Sequence, residues 1–161
     1  MIAISVSDAT RHVAKRIAAW LSPGAFFEAD GRGTVMETAI LGGTITGVID
    51  LTPSALIFHR ETVGPDRLTA AAFAGIPQVI STGGLIANPA ILDAVGKEIV
   101  EKASAARGPT RIVVPADAPP VLLQSLRNWV YPPELLVESV HAFESESFAE
   151  ELAATLRACL R

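Results

Sequence analysis

The chain has 161 residues, half of them hydrophobic and only 19% charged. That is one domain's worth of polymer, able to bury roughly two thirds of its unfolded surface, and it excludes intrinsic disorder. A net charge of −4 with scattered Lys and Arg gives no reason to approach nucleic acid or an anionic membrane. A single cysteine, Cys159, excludes an internal disulfide and any zinc site built from cysteine pairs.

Short apolar runs recur every 20 to 30 residues, each followed by a helix-like segment, the signature of repeated strand-helix units on a mainly parallel sheet. The first strand is read over Ile2 to Ser7, with a helix from Asp8 to Leu21 that stops at Ser22-Pro23-Gly24. A second strand, Ala25 to Ala29, leads through Asp30-Gly31-Arg32-Gly33 to Thr34, whose hydroxyl is expected to cap the next helix with Glu37 completing a capping box. The third strand is Gly47 to Leu51. A short helix capped by Asp66 ends at Gly75, and Gln78 to Ser81 follows as the fourth strand. Asn88-Pro89 opens a long helix closed by Gly108-Pro109, before the fifth strand at Arg111 to Val114. Asp117 with Pro119 and Pro120 introduces the next helix, Leu135 to Val140 is the sixth strand, and the last helix is expected to begin at Ser147 with Glu150 in a second capping box.

The expected architecture is therefore α/β: one domain over residues 1–161, an open, doubly wound, mainly parallel six-stranded sheet with helices on both faces, Rossmann-like or flavodoxin-like in strand order. Six units are too few for a closed eight-fold barrel. No apolar run reaches the roughly 18 residues of a membrane span, and the N-terminus lacks the basic start of a secretory signal, so the expected location is cytoplasmic.

In such a sheet ligands sit beyond the carboxyl ends of the strands, which makes the loops there the candidates. Gly31, Arg32, Gly33 and Thr34 join two glycines, a cation and a hydroxyl at a helix start, suited either to an anion or to a tight turn with a cap. Ser81, Thr82, Gly83 and Gly84 offer hydroxyls and room near the sheet edge, or else form an ordinary turn. Asp50 at a strand end is a candidate general base or anchor, or an acceptor of loop N–H groups; His141 at another strand end is a second proton-transfer candidate. The three histidines carry no metal-ligand spacing, and dinucleotide, Walker and nucleophile-elbow motifs are absent. Arg67, in a first helical turn beside Asp66, opposes the helix dipole and calls for a partner, internal or bound.

Two stretches are more specific: Gly47-Val48-Ile49-Asp50-Leu51-Thr52, and Gly64-Pro65-Asp66-Arg67-Leu68 running on to Gly75-Ile76-Pro77-Gln78-Val79-Ile80-Ser81. Together they resemble the C-terminal domain of the family that contains the tomato mosaic virus resistance protein and its bacterial homologues, described as ATP-binding. The resemblance implies two Rossmann-like domains in a full member, nucleotide on the first, and no established reaction. It places Asp50, Thr52, Gly64, Asp66, Arg67, Ser81 and Gly83 on the family's recurring pattern, whereas Ile86 and the segment His141 to Ser145 depart from it. The expectation is a stand-alone relative of that second domain, binding a small anionic ligand at the strand ends. It would work as a homo-oligomer or with a separately encoded nucleotide-binding domain. The residues themselves identify no cofactor and no metal. The rival expectations are an enzyme using Asp50 or His141, and a non-catalytic assembly subunit.

Overall fold

The computed structural model describes residues 1–21, 26–53, 61, 68–83 and 89–161. Their elements, in chain order, are β1 (Ile2–Val6), α1 (Arg11–Trp20), β2 (Phe26–Asp30), α2 (Val35–Leu41), β3 (Gly47–Asp50), α3 (Thr69–Ala74), β4 (Gln78–Ser81), α4 (Pro89–Ser104), β5 (Thr110–Val114), α5 (Pro120–Trp129), a 3-10 turn (Pro133–Leu135), β6 (Leu136–Glu138) and α6 (Glu146–Cys159). The six strands form one sheet in the order β2-β1-β3-β4-β5-β6. Every neighbouring pair is parallel, where the sequence predicts a sheet mainly so. This is the open doubly wound α/β architecture, and the order is the flavodoxin-like one carrying a sixth strand, not the dinucleotide-binding order.

Full burial on both faces explains why β1, β3 and β4 show no alternation of apolar with exposed polar residues, although each also buries a polar side chain. On one face Ile4, Val6, Ile49, Val79 and Val113 meet α1 and α6 through Val13, Ile17, Phe148, Leu152 and Leu156. The opposite face, one residue out of phase along each strand, carries α2, α3, α4 and α5. There Ala3, Ala29 and Val48 meet α2 and α3, while Ile80, Ile112 and Val114 meet α4 and α5. Each fully buried Ile, Leu or Phe stabilises the fold by about 1.5–3 kcal/mol relative to exposure. Close approach requires small residues at two places. A Cβ on Gly96 of α4 would lie 2.6 Å from Ser125 Oγ of α5, and one on Gly108 would lie 2.5 Å from the Gly75 carbonyl oxygen. Gly75 itself ends α3 in the left-handed region, at φ +70°.

Several boundaries differ from the sequence reading. The sixth strand is three residues long because Pro133 opens a 3-10 turn before it, and Val140 beyond it is 85% exposed. Thr34 stands at the start of α2, but its side chain makes no capping bond. Asp117 does not open α5, which starts at Pro120 behind Pro119. The cap of the last helix lies two residues earlier than predicted: Ser145 Oγ, not Ser147, accepts the Phe148 N–H at 3.1 Å. The predicted cap Asp66, the helix entrance at Asn88 and the stop at Ser22-Pro23-Gly24 lie outside the described residues. No helix among the described residues is long and apolar enough to cross a membrane.

Candidate functional site

With all strands parallel, their carboxyl ends share one edge. The topological switch falls between β1 and β3, because the chain leaves β1 to one side for β2 and then returns to its other side for β3. Ser5 and Asp50 face each other there in register. Ser5 Oγ donates to Asp50 Oδ1 at 2.7 Å, the Thr52 N–H donates to the same oxygen at 2.8 Å, and Thr52 Oγ1 donates to it at 3.3 Å. Ser5 Oγ and Thr52 Oγ1 are also within hydrogen-bond reach of each other, so their two protons are shared among the three contacts. Asp50 is 0% exposed, and a buried carboxylate needs such donors to remain in the fold. Gly31, entering from β2, closes this cluster. Its N–H donates to the Val6 carbonyl at 2.7 Å, and a Cβ on it would fall 2.0 Å from Thr52 Oγ1. Its role is thus a tight backbone approach to Thr52.

One strand over, β4 ends at Ser81 and is followed by Thr82; both are buried, and neither hydroxyl has a hydrogen-bond partner among the described residues. The next residue, Gly83, lies under the ring of Phe143, which comes from the segment after β6; a Cβ on Gly83 would sit 2.2 Å from Phe143 Cδ2. Asp117 Oδ1 accepts the Phe143 N–H at 2.9 Å, and the Ala116 N–H donates to the His141 carbonyl at 2.8 Å. These bonds tie the loops after β5 and β6 together. The Phe143 ring packs against Phe148 at 5.8 Å between centroids.

The charges on this edge are mostly matched in pairs. Arg32 folds back on Asp30: its N–H donates to Oδ1 at 2.9 Å, and its guanidinium reaches both carboxylate oxygens at 3.3 Å. The Arg32 side-chain hydrogen bonds, then the one from its backbone N–H, hold the Asp30 carboxyl below its ordinary range, and the same pairing raises Arg32. Arg11 lies between Asp8 at 2.9 Å and Glu28 at 3.8 Å. His12, on α1, pairs with Glu144. Neither guanidinium therefore adds net positive charge to the edge.

The structure thus brings Gly31, Asp50 and Thr52 into one cluster and sets Ser81, Thr82 and Gly83 on the adjacent strand end. Arg32 is engaged by Asp30, and Gly33 and Thr34 continue the turn into α2. His141 lies past β6, three strand spacings from Asp50, roughly 14 Å at about 4.8 Å per strand, so the two do not share one proton transfer. Gly64, Asp66, Arg67 and Gly84 lie outside the described residues. Sequence reasoning missed Ser5 and Phe143. A serine inside an otherwise aliphatic buried strand was the available signal for Ser5, whereas nothing local marks Phe143 as the partner of a glycine sixty residues earlier.

Two hollows lie at the other end of the sheet, near the amino end of β5, sharing Pro109 and Arg111 in their walls. Among the described residues no three His, Cys, Asp or Glu side chains converge as a metal cluster. No curated protein matches the chain. Residues 1–88, which carry β1 to β4 and hence both sides of the switch point, match the model described as Uncharacterised protein family (UPF0261) C-terminal domain, and the chain belongs to that family.

Proposed function

We propose that this chain is a ligand-binding domain that takes a small anionic molecule at the carboxyl edge of β3 and β4. The observation that carries the reading is the pair of buried hydroxyls, Ser81 Oγ and Thr82 Oγ1, left without partners among the described residues beside the switch point. A buried hydroxyl without a bond is costly, and an oxygen of a bound anion accepting from both would remove that cost. Since Arg11 and Arg32 are already matched by carboxylates, recognition leans on neutral donors, and affinity should vary little with salt. Asp50, with Oδ1 shared among Ser5 and Thr52 donors, acts in this reading as the floor that fixes the two strand ends, not as the group that moves a proton.

The match to a model named for a C-terminal domain, together with the likeness of Gly47 to Thr52 to the tomato mosaic virus resistance protein family, supports a second-domain role. In that role the chain works beside a nucleotide-binding domain or in a homo-oligomer. Exposed Leu41, Phe73 and Tyr131 offer apolar surface for such contacts. Calorimetry against inorganic phosphate and a panel of small phosphates and carboxylates tests the site. Thr82→Val should abolish binding at the edge while leaving the ligand-free protein as stable as the parent or more so, since it removes a hydroxyl that has no bond to lose. A Thr82→Val protein that is markedly less stable without ligand, or a parent that binds nothing in the panel, refutes the reading.

A further inference from the structure

The opposite end of the sheet presents a different kind of opening. Arg111, the second residue of β5, lies on the face that α6 covers, and the last turn of α6 with the residues after it reaches the same place. Between them lies a hollow of about 440 Å³ walled by Pro109, Arg111, Thr155, Ala158, Cys159 and Arg161. That volume is within the range of small-molecule sites, roughly 300–1,000 Å³.

Its charges distinguish it from the carboxyl edge. Arg11, Arg16, Arg32 and Arg127 are each paired with a carboxylate. Arg111 and Arg161 have no carboxylate partner among the described residues; the Arg111 Nη1 donates to the Thr110 carbonyl at 2.8 Å, which occupies one of its five N–H donors. Two guanidiniums thus wall one concavity in a protein whose net charge is −4. The carbonyl end of α6 faces the same region with about half a negative charge and the main-chain carboxylate that Arg161 carries in this structure adds a full one, against which the two guanidiniums leave a small positive balance. A guanidinium presents a planar fork that matches the oxygens of phosphate or carboxylate, and the half-buried setting of Arg111 shields that contact from solvent.

We propose that this hollow is a second anion site, in which Arg111 and Arg161 clamp a phosphate group, either inorganic phosphate or the phosphate of a small monoester. It is independent of the carboxyl-edge site and stands if that reading fails. Cys159, the chain's only cysteine, lines the hollow and reports on it. Burial raises the thiol above its ordinary range while the Arg111 charge pulls the other way, so an anion seated on Arg111 both covers the sulfur and cancels the charge that favours its thiolate.

The test is calorimetry with inorganic phosphate and with glycerol phosphate at low ionic strength, alongside alkylation of Cys159 by neutral iodoacetamide with and without phosphate. Phosphate should slow alkylation, and Arg111→Gln and Arg161→Gln should each weaken phosphate binding about tenfold or more and remove the protection. The calorimetry is done in the Thr82→Val background, so that phosphate held at the carboxyl edge does not contribute. Glycerol phosphate binding more tightly than phosphate identifies a monoester as the ligand, and the reverse identifies the free anion. Alkylation indifferent to phosphate, or phosphate binding by Thr82→Val that survives both arginine substitutions, overturns the proposal.

Discussion

Gly83→Ala isolates the contact that seats the loop after β6 on the end of β4. The added Cβ would lie 2.2 Å from Phe143 Cδ2 and 2.4 Å from both Cε2 and Cγ, well inside the 3.0 Å that real Cβ atoms respect. Gly83 shows no positive φ, so the penalty is one of space and not of backbone conformation. The ring cannot simply slide away. It is 3% exposed, packs on Phe148, and hangs from a backbone N–H held by Asp117. Overpacking of this kind costs about 1–3 kcal/mol. With a urea m-value of about 2 kcal/mol/M, a loss of about 2 kcal/mol lowers the unfolding midpoint by about 1 M. Phe143→Leu, which trims the clashing edge, should destabilise the parent but partly rescue Gly83→Ala, giving a coupling of at least about 0.5 kcal/mol in a double-mutant cycle. An unchanged midpoint for Gly83→Ala, or strictly additive effects of the two substitutions, would refute the reasoning.

Two further outcomes follow from the geometry. Ser145→Ala should cost about 1 kcal/mol through loss of the cap on α6, with Ser147→Ala nearly neutral, and thermal melts that rank the two the other way would contradict the observed cap. The Arg127 hydrogen bond holds the Glu138 carboxyl below its ordinary range. A depressed folded pKa stabilises the protein above the unfolded value, and that contribution is lost as pH falls through the folded pKa. Melting temperature should therefore drop slightly more steeply on acidification below the ordinary glutamate range in the parent than in Arg127→Gln. Because the pair is exposed, added salt should shrink the difference; identical pH profiles would show that the pair contributes nothing.

Strand positions were legible because each strand carries a short apolar stretch bounded by turn residues, and in β1, β3 and β4 burial on both faces leaves no alternation to read. Their order was not. A right-handed crossover fixes the hand of each unit but not the side on which β3 is added to β1, and that choice is made by packing between helices distant in sequence. The Ser147-Glu150 spacing satisfies a capping box, yet Ser145 takes the position because the turn from Ala142 and the seat of Phe148 in the core set where the helix begins. Asp50 and Thr52 could be named from position alone. The reasons for Gly31 and Gly83 could not, since each answers to a side chain brought in from another strand end, Thr52 in one case and Phe143 in the other.

The pairing of α1 with α6 has a consequence for synthesis. Residues 1–88 can assemble four adjoining strands while still emerging from the ribosome, but the side on which Ile4, Ile49 and Val79 point is roofed by α1 and by residues 146–159 together. Until residues 146–159 have folded onto it, that side of the sheet stays an uncovered greasy wall, so its closure depends on a segment about a hundred residues distant from the strands it covers.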